Sequence, residues 1–155
     1  MLCVVLSSPM ADSKVNVREA AEADLAWCLS NDGHLDEPAL LTKINAREIL
    51  VADSGGAPAG LLRFDMMWSA VPFIAQLRVL EPYRRQGVGQ ALLRAVEEGA
   101  RARGSIAVLS SIALGFDRTA ALGWHEAMGF ERFGHVKGMF PGEHTEAFFV
   151  KILEP

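Results

Sequence analysis

A strand that runs directly into a glycine-opened helix constrains this chain more than any other feature of its 155 residues. The run is Leu77-Arg78-Val79-Leu80-Glu81-Pro82-Tyr83-Arg84-Arg85-Gln86-Gly87-Val88-Gly89-Gln90-Ala91-Leu92-Leu93. Pro82 cannot donate to a ladder and biases Glu81 toward extended geometry, so the strand closes there. Gly87 and Gly89 lack the Cβ atoms that would hold a ligand off the backbone, and the free N–H groups of the first helical turn point into the space they leave. The helix dipole and the guanidinium groups of Arg84 and Arg85 make that space an anion site. A turn that needs two glycines only for its own geometry would share the spacing, and the arginines favour the anion. A dinucleotide fingerprint wants a third glycine where Leu92 stands and an acidic partner on the next strand, 106–111, which has none; the P-loop pattern is absent.

The rest of the chain reads as one α/β unit. Val15 to Arg18 is a short strand, and Ala21, Leu25, Cys28 and Leu29 recur on one helical face. Asn31-Asp32-Gly33-His34 carries turn chemistry, and Glu37-Pro38 opens a second helix ending near Asn45. Glu48–Ala52 and Gly60–Phe64 predict an antiparallel pair joined through Gly55-Gly56, followed by a strand over Phe73–Leu80. From Val88 to Arg103 a stripe of Val88, Ala91, Leu92, Ala95, Val96, Gly99 and Ala100 faces inward, with Arg94, Glu97, Glu98 and Arg101 outward and Gly104 as the stop. Ile106–Leu109 predicts a buried strand, Thr119–Met128 a helix ended by Gly129, and Phe130–Val136 and Ala147–Leu153 two last strands. The predicted order is β-α-α-β-β-β-α-β-α-β-β. Residues 1–13 read as a flexible extension before a single domain over 14–155, and Met10 serves as well as Met1 as a start.

Composition narrows the function classes. A formal net charge of −4 with charges of mixed sign leaves no basic face for nucleic acid. Two cysteines, Cys3 and Cys28, are too few for a disulfide framework and lack metal spacing, which fits a reducing cytoplasm. The opening apolar run has no positive n-region, and no stretch reaches the ~18 apolar residues of a membrane span. His34, His135 and His144 lack paired ligand spacing, so no metal is implied.

With these residues in view, the chain resembles the GNAT superfamily of acyl-CoA-dependent N-acyltransferases, whose cofactor motif is [QR]-x-x-G-x-[GA] at the start of the central helix. Arg84, Gly87 and Gly89 fill it, and Gly129-Phe130 falls where the family places its GF pair. The resemblance follows element order over roughly residues 14–153. It implies a mixed, mostly antiparallel sheet of six or seven strands, splayed in the middle, with about four flanking helices. It also implies acetyl-CoA as co-substrate: pantetheine along the backbone of Leu77-Arg78-Val79, and pyrophosphate on the amides of 85–90, with Gln86, Val88 and Gln90 as main-chain donors. Arg84 and Arg85 would stand near the phosphates, and Arg118 and Ala121 along the far wall.

Such a site transfers an acyl group by amine attack on a thioester through a tetrahedral oxyanion. An alkylamine with a pKa of about 10.4 must lose a proton first, and the leaving thiolate must gain one. The family's usual acid is a tyrosine four residues before the GF glycine. Here that position is His125, a proton donor or equally a hydrogen-bonded core histidine on the face of Leu122 and Met128. The chain's one tyrosine, Tyr83, sits beside the phosphate turn instead. For the base, the strand-four position is Ala75-Gln76 rather than acidic, leaving Glu81, or a solvated strand-end residue, and Asp65 as outsiders. Met66-Met67-Trp68 and Gly138-Met139-Phe140-Pro141 would line an acceptor pocket or pack in a core. Asp32, Asp36 and Glu37 read as a solvated acidic loop that could also draw a cation. The expected reaction is acetyl transfer to a primary amine on a small molecule or peptide, without a covalent enzyme intermediate. The rival is a non-catalytic acyl-CoA binding or sensing module. A homodimer through the C-terminal strands is compatible with either.

Overall fold

The structure, a computed structural model, describes residues 14–115, 117–142 and 144–154. The extension at 1–13, with Cys3 and Met10, lies outside them. The strands are β1 (Asn16–Glu19), β2 (Ile49–Ser54), β3 (Ala57–Met67), β4 (Val71–Val79), β5 (Ala107–Leu114), β6 (Glu131–Lys137) and β7 (Thr145–Ile152). They form one sheet in the order β1-β2-β3-β4-β5-β7-β6, antiparallel throughout except for β4–β5. The helices are α1 (Leu25–Asp32), α2 (Glu37–Asn45), α3 (Val88–Ala102) and α4 (Thr119–Ala127). This is the mixed, mostly antiparallel α/β sheet with four helices that the sequence predicts, with an added 3-10 turn at Glu22–Asp24 ahead of α1. No helix among the described residues is long and apolar enough to cross a membrane.

Local chemistry sets the helix ends. The Asp36 side chain accepts the Ala39 N–H at 3.0 Å, with Pro38 in the first turn of α2. Helices α3 and α4 both stop in a Schellman arrangement. Gly104 and Gly129 take φ of +78° and +84°, and the N–H groups of Ser105 and Phe130 return to Ala100 and His125.

One core lies between the sheet and α3, with Val88, Leu92, Leu93, Val96 and Ala100 meeting Leu50, Leu62, Phe64, Ile74, Val108, Ile112, Ala147 and Phe149. A second, on the opposite face, joins Cys28, Leu40 and Ile44 of α1 and α2 to Ala20, Ile49 and Val51. Burial of each large aliphatic side chain contributes about 1.5–3 kcal/mol, so α3 is the helix the fold depends on most.

Several expectations are corrected. Glu97, placed outward by helical periodicity, is buried because the Lys151 ammonium of β7 pairs with it, while Gly99 is exposed. Ile106 precedes β5 and is 73% exposed; the buried alternation begins with Val108. Leu122 is exposed, so the inner face of α4 carries Ala121, His125 and Met128. The 65–72 stretch, left between the predicted strands 60–64 and 73–80, is mostly ladder: β3 and β4 continue to Met67 and from Val71 around a tight turn in which Trp68 and Ser69 have φ of +51° and +55°.

Asp32 is also not a solvated loop residue. At 2% exposure it accepts the Arg63 Nε of β3 at 2.8 Å, and its backbone carbonyl accepts the Gln76 amide of β4 at 3.1 Å. These bonds fix the end of α1 over the middle of the sheet. Removing one partner of a buried pair leaves an uncompensated charge, which costs about 3–5 kcal/mol. Arg63→Met should therefore lower the urea midpoint strongly, and the double variant Arg63→Met/Asp32→Leu should recover much of the loss; equal destabilisation of single and double variants would contradict this.

Candidate active site

Strand β4 carries an extra residue. Its register with β3 slips between Arg63 and Phe64, so Gln76 faces Arg63 while Ile74 faces Phe64 and Ala75 has no opposite number. A bulge bends its strand. On its other edge β4 pairs with β5 only at Phe73–Leu109 and Ile74–Ser110, and beyond the bulge the two parallel strands part. The result is a wedge that opens toward the C-terminal ends of both strands.

The backbone facing that wedge is unpaired by strand. Leu80 N–H donates to the Ala59 carbonyl at 2.9 Å, which makes the opposed residues Val79 and Gly60 a non-hydrogen-bonded pair. The N–H and C=O of Val79, and two residues earlier those of Leu77, therefore point toward β5. Arg78 and Gln76 turn their side chains the other way, to Asn31 and Asp32 at the end of α1. Close packing brings α3 up to the wedge mouth: a Cβ on Gly60 would stand 2.8 Å from the Arg78 carbonyl and 3.0 Å from Val88 Cγ1.

At the mouth, the chain turns through a 3-10 segment, Glu81–Tyr83, and Arg85 adopts a left-handed φ of +60° before Gly87, φ +80°, caps α3. Among the described residues, none of the six backbone N–H groups from Arg85 to Gln90 has a hydrogen-bond acceptor; the ladder of α3 begins with Ala91 N–H to Gly87 at 2.9 Å. Arg84, Arg85, Gln86, Gly87 and Gln90 are exposed. The Arg84 Nε donates to the Val79 carbonyl at 3.2 Å, and the Gln86 amide donates to the Pro82 carbonyl at 2.9 Å, so side chains fold back and leave the amides open.

The other sequence-derived residues do not all gather at this mouth. Glu81 is exposed and opens the 3-10 turn. Arg118 is the N-cap residue of α4, and Ala121, one turn on, packs against the α3 core. Asp65 is paired with Lys43, which also holds Glu48 at 2.5 Å. Trp124, which belongs to no sequence motif, lies against the helix opening: a Cβ on Gly89 would stand 3.2 Å from its Nε1. Cys28 is fully buried on the inner face of α1, packed with α2 and β2, and burial pushes its thiol up to about 11, which removes it as a nucleophile.

His125 is buried among Phe130 and Phe149, with ring centroids at 5.1 and 4.8 Å. Its Nδ1 lies 2.8 Å from the Ala121 carbonyl, an acceptor, so that nitrogen carries the proton. The Nε2, 2.9 Å from Ser110 Oγ, then accepts from the serine hydroxyl. Both ring nitrogens are bonded inside the fold.

The family model of the acetyltransferase (GNAT) family matches residues 17–130. The chain belongs to that family. No curated protein sequence matches it significantly. Solved structures agree on the fold. Ard1 from Thermoplasma volcanium superposes with a TM-score of 0.80 at 17% identity, over 91% of this chain and 99% of that one. The ribosomal-protein-S18-alanine N-acetyltransferase from Escherichia coli gives 0.76 at 16% identity, over 92% and 96%. The yncA protein from Salmonella typhimurium, solved with its cofactor acetyl-CoA, gives 0.74 at 20%, over 92% and 96%.

Burial lowers the His125 pKa, only partly offset by the bond to Ala121. In the unfolded chain the ring protonates near 6.5, so as pH falls the unfolded state binds the proton first. The stability that the neutral ring provides is complete above about 6.5 and is lost as pH drops below it. His125→Phe should cost about 1–3 kcal/mol at pH 7.5, because Ser110 loses its partner, and the gap from wild type should narrow between pH 7 and 5. Parallel melting curves across that range would contradict the assignment.

Proposed function

We propose that this chain is an acetyl-CoA-dependent N-acetyltransferase acting on a primary amine. The observation that carries the reading is the row of six acceptor-free amides at 85–90, opened by Arg84 and Arg85 at the mouth of a strand wedge. A diphosphate satisfies such donors without displacing any bond of the fold, and the helix dipole favours its charge. The inward-facing N–H and C=O groups of Leu77 and Val79 match an extended pantetheine arm laid along β4 like an added strand. A thioester deeper in the wedge would then have one of these inward-facing β4 N–H groups as a donor for the oxyanion. The amine attacks directly, since the described cysteine is fully buried and its thiol is held protonated by that burial.

A second reading follows from His125. With both nitrogens bonded in the core it presents no free donor to the wedge, which favours a non-catalytic acyl-CoA binding module unless water protonates the departing thiolate. Thiol release over an amine panel decides between them: release marks the enzyme, tight binding without release the sensor.

Calorimetric titration tests the binding site itself. Acetyl-CoA should bind wild type, and Arg85→Ala should weaken binding about tenfold through loss of a charge-assisted contact. The deficit should shrink as salt is raised, because the contact is exposed. Unchanged affinity in Arg85→Ala and in Gly89→Val, which crowds Trp124, would sink the proposal.

A further inference from the structure

Three acidic side chains are buried among the described residues: Asp32, Glu97 and Glu146. Asp32 is neutralised by Arg63 and Glu97 by Lys151. Glu146, 8% exposed, has no cation within ion-pair distance among the described residues; its bond is from the Ser111 hydroxyl, at 2.5 Å. Its cross-strand neighbours are Ala113 of β5 and Val136 of β6, neither of which carries charge. Glu146 is thus the one buried carboxyl group among the described residues that meets a hydroxyl rather than a cation.

The position of the pair says what could arrive. Ser110 is the last β5 residue paired with β4, and its side chain turns toward α4 to meet His125. Ser111 is the next residue, so its side chain emerges on the opposite face just where the wedge opens. On β7, Ala147 and Phe149 belong to the α3 core, so Glu146 and Phe148 emerge beside Ser111. The same face carries a run of aromatic rings, Phe73–Phe148 at 6.4 Å and Phe148–Phe133 at 6.2 Å, with Phe133 60% exposed. This face is thus an apolar floor, half-buried at Phe73 and Phe148 and exposed at Phe133, with a carboxyl group that has no cation partner beside the wedge.

We propose that Ser111 and Glu146 form the acceptor subsite and take a proton from a primary ammonium carried on an aromatic or other apolar body lying across Phe73, Phe148 and Phe133. The inference rests on the acyltransferase reading. The ammonium nitrogen donates to Ser111 Oγ while the serine hydroxyl proton passes to Glu146, leaving a neutral amine and a protonated carboxyl. The nitrogen lone pair then forms the C–N bond at the thioester carbonyl, the C–S bond breaks, and CoA leaves as thiolate. The second amine proton neutralises the thiolate, and Glu146 returns its proton to water. Overall, ammonium and acetyl-CoA give amide, CoA thiol and one proton.

The test compares wild type, Glu146→Gln and Ser111→Ala in thiol-release assays at pH 7. The amines are phenethylamine, which is protonated at that pH, and trifluoroethylamine, which is already neutral. A tetrapeptide that begins with phenylalanine distinguishes a chain terminus from a free amine as the source of the same chemistry. Glu146→Gln should lower kcat/KM for phenethylamine about 100-fold, and for trifluoroethylamine far less, with acetyl-CoA affinity within twofold of wild type. Ser111→Ala, which keeps the carboxylate and its packing, should show the same selectivity with a smaller loss, so the pair remains testable if Glu146→Gln folds poorly. Equal losses on both amines, or none, would overturn the proposal, as would a wild type that binds acetyl-CoA but acetylates neither phenethylamine nor the peptide. A wild type that binds no acetyl-CoA would instead overturn the acyltransferase reading and this inference with it.

Discussion

The bulge at Ala75 governs the geometry of the whole molecule. Without it β4 would continue alongside β5, and the parallel pair would be zipped from end to end. With it, pairing stops at Ile74 and Ser110, and the backbone edges of Leu77 and Val79 are left facing a gap. Unpaired strand edges inside a sheet are costly unless something else bonds to them, so a wedge kept open in the fold is a site for an extended ligand. Gly60 serves the same geometry from below, because only a residue without Cβ lets Val88, and with it the opening of α3, approach so near to β4.

Charge is distributed to protect that opening. The end of α1 is tied down by Asp32, Arg63 and Gln76 on one face of the sheet, and Glu97 and Lys151 join α3 to β7 on the other. The first set anchors α1 on the β3–β4 arm of the wedge, while the Glu97–Lys151 pair ties α3 to β7 of the other arm. Arg84 folds back onto Val79 and so holds the turn in a shape in which the amides of 85–90 look outward.

What the sequence revealed was local. The strand-turn-helix run, both glycine-stopped helices and the hairpin at Gly55-Gly56 depend on residues within a few positions of one another, and backbone preferences alone specify them. What it hid depends on distant partners. Helical periodicity puts Glu97 outside, but a lysine 54 residues away brings it in. Asp32 looks like a turn residue until Arg63, 31 residues on, is placed above it. His125 could be read as an acid or as a core residue, and only the positions of Ser110 and of the Phe130 and Phe149 rings show how its nitrogens are used. Glu146, at the start of a strand beside an unremarkable threonine, gave no local sign of being buried without a counter-ion.

The claim that an acyl-CoA diphosphate sits on the opening of α3 is tested most directly by following backbone amide resonances during an acetyl-CoA titration. The account predicts the largest shifts at Arg85 through Gln90, with a second group at Leu77 and Val79 along the wedge. Resonances in that stretch that stay fixed while acetyl-CoA binds elsewhere would contradict it.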